Sequence, residues 1–438
     1  MQQHRIVVLG AGYAGASAAG RLARRLHRQD VALTLVNAEP DFVERVRLHQ
    51  LAAGQELRPR PLREMFGGTG VEMRVARVTA VDVDRKTVAV TGADGAAREE
   101  IAYDTLVYAL GSQWDHGGVP GVAEHAHDVA SRAGALRLRD RLAALAAGRP
   151  VVVVGGGLTG LETVTEIAEA RPDLAVALAV RGALGDWLSA KARTHLRTVL
   201  DGLGVTVHEH ADVTSVEADR VTTARGADLP SDATVWTTGF AVHPLAAATS
   251  LRLTDAGQIA VEATTMRSLS HPDVYAVGDA AVTAGPGGKP LRMSCASGTP
   301  MAWQAADAIA ARLTGTRVPR IPIRYYQQCV SLGRRDGLIQ FTTADDRAVE
   351  RALTGRPAVL YKELVCKGAA WAVAHPTLGL PTRRRRGAVR TVATEGRTEG
   401  RTEERAQGRT EGRTEERAQG RTEGRTQGRT QGRTEAGV

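Results

Sequence analysis

The chain has 438 residues, of which 43% are hydrophobic and 24% charged, so it is long enough for two or three domains with real cores. The net charge of +9 is concentrated at one end, because residues 383–438 hold 15 arginines against 9 acidic residues and leave the remainder close to neutral. This gives no charge-based reason to expect nucleic acid as a partner. The three cysteines, Cys295, Cys329 and Cys366, exclude a disulfide scaffold, and their wide spacing excludes a CxxC-type redox or zinc site.

The first apolar run, Ile6–Leu9, is only four residues long before glycine interrupts it. That is too short for a signal-peptide core, and 18 consecutive apolar residues occur nowhere in the sequence. We therefore expect a cytoplasmic protein that contacts a membrane at most peripherally, from the inner face.

Short apolar runs alternate with helical patterns along the next part of the chain. The stripe of Ala16, Ala19, Leu22, Ala23 and Leu26 has the i, i+3, i+4 spacing of an amphipathic helix, and a similar helix follows a later strand. This alternation predicts α/β architecture with doubly wound parallel sheets. The predicted strands are Ile6–Leu9, Leu33–Val36, Leu106–Tyr108, Val151–Val154, Val176–Val180 and Val274–Val277.

A glycine-rich turn, Gly10-Ala-Gly12-Tyr-Ala-Gly15, lies between the first strand and the first helix. Gly10 allows a tight turn, Gly12 lets a pyrophosphate approach the backbone, and Gly15 permits close packing of helix on strand. The position expected to hold an acid for the ribose hydroxyls is Asn37, which can still hydrogen-bond a diol. The pattern predicts a dinucleotide site.

A second turn with Gly155, Gly157 and Gly160 follows Val151–Val154, so the chain is expected to bind two different dinucleotides. At the end of the next strand a carboxylate is missing and Arg181 is present, which favours a 2′-phosphate and hence NADPH over NADH. Arg181 as an ordinary solvated surface residue is the alternative, and the choice of nucleotide stays open.

Four motifs in this order resemble the pyridine nucleotide–disulfide oxidoreductase superfamily. They are GAGYAG (10–15), YDTLVYALGS (103–112), GGGLTGLE (155–162) and HPDVYAVGDAA (271–281). The resemblance implies two Rossmann-like dinucleotide-binding domains, with the first turn binding FAD and the second NAD(P)H. It also implies cofactor-binding roles for Tyr13, Ala14, Ala109, Gly111, Gly239, Gly278 and Asp279, the last at the ribityl chain of FAD.

Within this superfamily the sequence is most similar to the type II NADH dehydrogenases, through Thr34–Gly54 and through Glu162. This resemblance implies an oxidoreductase that passes hydride from NAD(P)H to flavin N5 and then electrons to a quinone or similar small acceptor. The glutamines of that family's quinone motif are replaced by Ala296 and Pro300, and an amphipathic membrane-binding C-terminus is not evident. No cysteine precedes Cys295, so the redox-active cysteine pair of the disulfide reductases is absent.

Two alternatives remain at this stage: a redox-signalling flavoprotein similar to apoptosis-inducing factor, and a reductase of a ferredoxin-like protein. Glu162 is the candidate catalytic residue, placed near the nicotinamide, although an acid in the first turn of a helix is also favoured by the helix dipole alone. Thr299 and Pro300 have the pattern of a helix cap and first helical residue, and the resemblance points that helix at the flavin. No metal site is expected.

The resemblance and the composition together predict the domain boundaries. The FAD domain comprises residues 1–115 and 241–312, the NAD(P)H domain 116–240 is inserted in it, and a small α+β domain follows at 313–382. Residues 383–438, a Gly-Arg-Thr-Glu repeat without apolar periodicity, are expected to form a disordered tail. The resemblance implies that this small domain either forms a homodimer interface or covers the flavin, and the sequence leaves both alternatives open.

Overall fold

A computed structural model describes residues 3–92, 95, 98–319, 322–377 and 384–387, all of which belong to one unit, Met1–Ala388. The strands are β1 (His4–Leu9), β2 (Val31–Asn37), β3 (Val71–Asp82), β4 (Thr87–Gly92), β5 (Arg98–Ala102), β6 (Thr105–Tyr108), β7 (Ser112–Trp114), β8 (Ala126–His127), β9 (Pro150–Val154), β10 (Ala175–Ala179), β11 (Thr206–His208), β12 (Val213–Val216), β13 (Arg220–Thr223), β14 (Asp228–Pro230), β15 (Ala233–Trp236), β16 (Phe240–Val242), β17 (Ile259–Ala260), β18 (Val274–Ala276), β19 (Ala281–Val282), β20 (Gln327–Leu332), β21 (Asp336–Thr342) and β22 (Ala348–Thr354). The helices are α1 (Tyr13–Arg25), α2 (Leu48–Ala52), α3 (Leu62–Met65), α4 (Val122–His125), α5 (Arg132–Ala144), α6 (Leu158–Ala170), α7 (Ala190–Gly202), α8 (Cys295–Thr314) and α9 (Arg356–Ala374).

The first sheet has seven strands in the order β18-β6-β1-β2-β3-β4-β5. From β18 to β3 the strands are parallel, and β3, β4 and β5 continue as an antiparallel meander. Its central strand β1 is apolar and buried because both faces are covered, as parallel sheets require. The second sheet, β11-β10-β9-β15-β8, is parallel throughout. All six predicted strands are found in these two sheets, which confirms the α/β architecture.

Helices α1 and α8 pack against each other beside the first sheet. Small buried residues such as Ala18, Ala19, Ala302 and Ala305 let the two backbones approach closely. The contact also holds Asp307 of α8, which is 4% exposed and forms ion pairs with Arg21 and Arg25 of α1. Of the predicted stripe, Ala16, Ala19, Leu22 and Leu26 are buried, and Ala23 is half-buried.

The chain passes from the seven-stranded sheet to the five-stranded sheet and back along a two-stranded ribbon. Strand β7 carries it out of the first sheet and β16 carries it back, and the two pair antiparallel with Phe240 opposite Trp114. Both crossings therefore lie side by side.

A three-stranded antiparallel sheet, β20-β21-β22, and helix α9 follow α8 along the chain. Its buried residues Val330, Leu332 and Leu338 share one hydrophobic core with Leu161 and Val164 of α6. This sheet is thus anchored on the helix that follows the second glycine turn.

The tail predicted from residue 383 lies outside the described residues, apart from 384–387. There Arg385 forms a bridge with Leu26, and the Arg386 guanidinium lies 3.2 Å from Asp30 Oδ1. Arg385 and Arg386 therefore contact the folded unit beside Leu26 and Asp30. Within the described ranges, none of the helices combines the length and apolar character needed to cross a bilayer.

Candidate active site

The first glycine turn is closed by contacts that leave no room for side chains at its ends. Gly10 has φ of +90°, and a Cβ on it would lie 2.4 Å from the carbonyl oxygen of Ala109. A Cβ on Gly15 would lie 1.8 Å from the carbonyl oxygen of Gly10. Gly12, in contrast, is exposed and a Cβ there would meet nothing within 4 Å. The turn is rigid at both ends and open at the position where a pyrophosphate would approach.

Asn37, predicted to bind ribose, stabilises the turn itself. Its Oδ1 accepts a hydrogen bond of 2.9 Å from the backbone N–H of Ala11, and its Nδ2 donates to the carbonyl of Glu39 at 2.8 Å. The amide is therefore already engaged at the end of β2, beside the turn.

The second glycine turn repeats the same geometry after β9. Gly155 has φ of +125°, and a Cβ on Gly160 would lie 1.9 Å from the carbonyl oxygen of Gly155. Gly157 is exposed with free space around it, as Gly12 is. Two open turns at the starts of α1 and α6 fit two dinucleotides, since each presents backbone N–H groups and a helix N-terminus to a pyrophosphate.

Both turns contribute to one cavity of about 590 Å³. The predicted site residues that line it are Gly12, Tyr13, Ala14, Ala109, Gly111, Gly157, Glu162, Gly239, Gly278 and Asp279. The predicted residues outside its lining are Gly10, Gly15, Asn37, Gly155, Gly160, Arg181 and Pro300. The glycines among the latter shape the turns, whereas Arg181 is exposed just beyond β10.

Asp279, which lines the cavity, has polar contacts with two neighbouring side chains. The Ser112 hydroxyl donates to its Oδ2 at 2.6 Å, and the Arg45 Nη1 lies 3.9 Å from the same oxygen. Arg45 also donates to the carbonyl of Ser112 at 3.0 Å, and burial lowers the pKa of its guanidinium. A carboxylate oriented in this way can accept hydrogen bonds from hydroxyl groups of a ligand.

Helix α8 begins earlier than predicted. It starts at Cys295 with Ser294 as the N-cap residue, so the expected cap at Thr299 is wrong and Pro300 lies inside the helix. The missing N–H of Pro300 removes one helical hydrogen bond. Within the extra turn, Gly298 packs against Gly278, and a Cβ on Gly298 would lie 3.4 Å from the Cα of Gly278. This turn lines the cavity, so the helix N-terminus faces it, as the resemblance implied.

Glu162 belongs to a buried polar cluster that closes one wall of the cavity. Its carboxylate forms an ion pair with Lys362 of α9 and accepts a 3.1 Å hydrogen bond from the backbone N–H of Ser331. Lys362 donates to the Ser331 hydroxyl at 2.9 Å, and His49 Nδ1 lies 3.7 Å from the second carboxylate oxygen of Glu162. The cluster thus joins α6, α9, β20 and α2.

Burial sets the proton affinities in this cluster. It lowers the pKa of Lys362 to about 8, because the charged ammonium loses water. It also holds the pKa of His49 well below its ordinary value, with Lys362, Arg334 and Arg47 adding to the effect, so the imidazole is neutral near pH 7. A lysine that releases its proton near neutral pH can serve as a proton donor.

Sequence reasoning missed Lys362, although a signal for it exists. The buried residues of α9 include Ala358, Lys362, Cys366, Ala370 and Val373, which repeat at helical spacing. A lysine within such a stripe must find a buried partner.

The cysteines, distant in sequence, all line this cavity. Burial raises the pKa of Cys329 to about 12 and raises that of Cys366 as well, so both are protonated thiols near pH 7. Protonated thiols are weak nucleophiles and weak metal ligands.

Comparison with known proteins agrees with this geometry. Residues 4–310 match the family of pyridine nucleotide-disulphide oxidoreductases. An NADH dehydrogenase-like protein of Mycobacterium tuberculosis is 30% identical over 386 residues, which cover 82% of this chain and 92% of that protein. The demethylphylloquinone reductase of Synechocystis is 27% identical over 336 residues, covering 73% of this chain and 82% of that protein.

The solved structure of NDH2 from Plasmodium falciparum in complex with NADH has the same fold. It is 14% identical, with a TM-score of 0.72 over 86% of this chain and 97% of that chain. The resemblance inferred from the four motifs is thereby confirmed, and it carries with it the cofactors FAD and NAD(P)H, which the two open turns fit. The chain belongs to the pyridine nucleotide-disulphide oxidoreductase family and is an oxidoreductase.

Proposed function

We propose that this protein oxidises NAD(P)H and reduces a quinone or a similar small apolar acceptor, without a redox-active disulfide. The observation that carries this proposal is the meeting of three features in one cavity: the two dinucleotide turns and the Glu162–Lys362 pair. The curated relatives named above, an NADH dehydrogenase-like protein and a quinone reductase, support the same reaction.

The residues divide between the two nucleotides according to their turns. Gly12, Tyr13, Ala14, Gly278 and Asp279 would hold FAD on the side of the first sheet. When bound, FAD would supply the redox chemistry of the site, which takes two electrons from NAD(P)H and passes them on to the acceptor. On this view, residues 116–240 form an NAD(P)H-binding insertion in the FAD domain.

The other face of the site would receive NAD(P)H and, on the α9 side, the acceptor. Gly157, Glu162 and Gly239 are in place for the nicotinamide nucleotide. Arg181 is exposed beyond β10, where a guanidinium would bind a 2′-phosphate. Replacing Arg181 with Glu tests this: the ratio of kcat/KM for NADPH to that for NADH should fall about tenfold, and an unmoved ratio would refute a role for Arg181 in nucleotide choice.

The cavity wall near α9 suits an apolar acceptor that needs protons. Val365 and Met293 supply apolar surface, Gln327 and Gln328 supply amide groups, and Lys362 supplies an acidic proton. Reduction of a quinone adds a proton to each carbonyl oxygen, and a donor with a pKa near the working pH is favourable for that step.

Helix α9 also offers a surface for the membrane in which such acceptors dissolve. Its outer side exposes Leu360, Leu364 and Trp371, next to the cavity residue Val365 and the cationic Lys367. We infer a peripheral contact with anionic lipid through this side, since apolar side chains flanked by a cation are typical of interfacial helices. Replacing Leu364 with Glu should reduce co-sedimentation with anionic liposomes; unchanged co-sedimentation would contradict the contact, and a change in molecular mass instead would identify a dimer interface.

Anaerobic stopped-flow measurement of flavin absorbance tests the function. NADH or NADPH should bleach the flavin, and a soluble quinone should restore it. In the Lys362→Met variant restoration by quinone should slow about 100-fold, whereas Lys367→Met, a change at an exposed lysine of the same helix, should behave as wild type. Bleaching without restoration by any quinone would reject the acceptor and favour a protein partner or a redox-signalling role.

A further inference from the structure

Helix α6 carries three carboxylates on one side, leading away from the cavity. Glu162, Glu166 and Glu169 are spaced i, i+4 and i+7, so they lie above one another on one helix face. Glu162 lines the cavity, while Glu169 accepts a 2.6 Å hydrogen bond from the backbone N–H of Arg334 and lies 3.3 Å from the exposed Arg335. The row therefore connects the cavity with the protein surface.

Glu166, the middle member, is buried without being fully paired. Glu166 is only 2% exposed to solvent. One carboxyl oxygen accepts a hydrogen bond from the half-exposed Gln55, and the other has no hydrogen-bond partner within the described part of the chain. Buried polar atoms are nearly always paired, so an orphan oxygen on a buried carboxyl needs an explanation.

Charged groups surround Glu166 from every element that packs on it. Arg334 in the β20–β21 turn favours its ionised form, whereas Glu169 on its own helix and Glu363 on α9 oppose it. His49 of α2 and Lys362 of α9 lie one turn away, around Glu162.

We propose that Glu166 relays protons from solvent, entering beside Gln55 and Glu169, to the Glu162–Lys362 pair, from which the reduced acceptor takes them. This inference rests on the proposed function. NAD(P)H releases two electrons and one proton, and a quinone takes up two electrons and two protons to become a quinol. Each turnover therefore draws one proton from solvent, and the largely buried Glu162–Lys362 pair needs a path for it.

The chemistry of Glu166 suits such a path. Burial raises its pKa to about 7, so the carboxyl exchanges its proton near neutral pH instead of remaining ionised. The orphan oxygen can receive a proton while the other oxygen stays bonded to Gln55. The large majority of buried side-chain polar atoms are hydrogen-bonded, so the orphan oxygen is consistent with a functional role for this carboxyl.

Quinone and ferricyanide distinguish proton supply from other damage, because ferricyanide takes electrons without protons. In anaerobic stopped-flow, Glu166→Gln should be reduced by NADH at a rate within twofold of wild type and reoxidised by ferricyanide at the wild-type rate. Its reoxidation by a soluble quinone should slow about 10- to 100-fold. The dependence of that quinone step on pH near 7 should disappear, and Glu166→Asp should restore part of the rate.

Thr165→Val, at the position next to Glu166 on α6, is the matched control. It removes the hydroxyl that accepts a hydrogen bond from the backbone N–H of Gly333, and it keeps the Glu166 carboxyl. It should leave the quinone rate and its pH profile unchanged. A wild-type quinone rate and pH profile in Glu166→Gln would overturn the relay and leave the proposed function intact. If quinone fails to reoxidise the wild-type protein as well, the proposed function fails and the relay with it.

Discussion

Replacing Glu166 with glutamine should stabilise the protein by an amount that grows as the pH rises from about 4.5 to about 7 and is constant above that. A carboxyl whose pKa is raised on folding keeps its proton in the folded state after the unfolded chain has released it. The contribution of such a carboxyl to stability is therefore complete below its pKa in the unfolded chain. It is lost as the pH rises from that value to its pKa in the folded protein. For Glu166 this window runs from about 4.5 to about 7.

The size of the effect follows from the width of that window. At 1.36 kcal/mol per pKa unit, ionising Glu166 in the folded state costs about 3 kcal/mol at pH 8. Glutamine has nearly the shape of the protonated acid and no charge to bury. The variant should exceed the wild type by less than 1 kcal/mol at pH 5 and by about 3 kcal/mol at pH 8.

Urea unfolding of the FAD-saturated protein at pH 5, 6.5 and 8 measures this difference. All other titrating groups are common to both proteins, so they cancel in the comparison. Glu124→Gln, at an exposed glutamate of α4, should show no such growth with pH. A difference between Glu166→Gln and wild type that stays constant from pH 5 to 8 would refute the assignment of a buried, neutral carboxyl.

Three further predictions concern packing, the first turn and the cavity. Asp307→Asn should lower the free energy of unfolding by about 3 kcal/mol, because it leaves the partly buried Arg21 without its carboxylate. Gly15→Ala should fail to fold or to retain FAD, since the new Cβ would overlap a backbone oxygen. Gly12→Ala should have the melting temperature of the wild type when both lack FAD, but a titration should show that it binds FAD more weakly. Cys295, the exposed cysteine of the cavity, should react with a maleimide in the FAD-free protein, and added FAD should slow that reaction at least about tenfold.

Each of these has its own control. Asp140→Asn, at an exposed acid, should leave unfolding unchanged, and a loss equal to that of Asp307→Asn would contradict the buried ion pair. Equal FAD affinities for Gly12→Ala and wild type would show that no phosphate approaches that position. Cys295→Ser should abolish the FAD-sensitive labelling; labelling that persists would place the reactive thiol elsewhere.

The features that the sequence predicted well are those set by neighbours along the chain. Continuous apolar runs such as Val151–Val154 identify buried parallel strands, and a glycine turn between strand and helix is a local arrangement of a few residues. The predicted start of α8 was wrong because the preference for Thr at an N-cap and Pro at the first helical position considers only Thr299 and Pro300 themselves. The earlier turn packs against Gly278, which is distant in sequence.

The polar half of the site could not be predicted in the same way. Glu162 and Lys362 are 200 residues apart, and only the folding of α9 onto α6 and β20 brings them together. Lys362 lies in the buried stripe of α9, but nothing near it in sequence identifies its partner. The convergence of Cys329 and Cys366 on the same cavity depends equally on that packing.

The ribbon of β7 and β16 has a consequence for how such proteins diversify. Because these strands are hydrogen-bonded neighbours, the polypeptide enters and leaves the second sheet at points only about 5 Å apart. A segment with adjacent ends can be exchanged as a cassette without displacing what remains. If the proposed function holds, exchanging residues 115–239 for the corresponding piece of a relative would transfer nucleotide preference and leave the proposed acceptor wall on α9 unchanged.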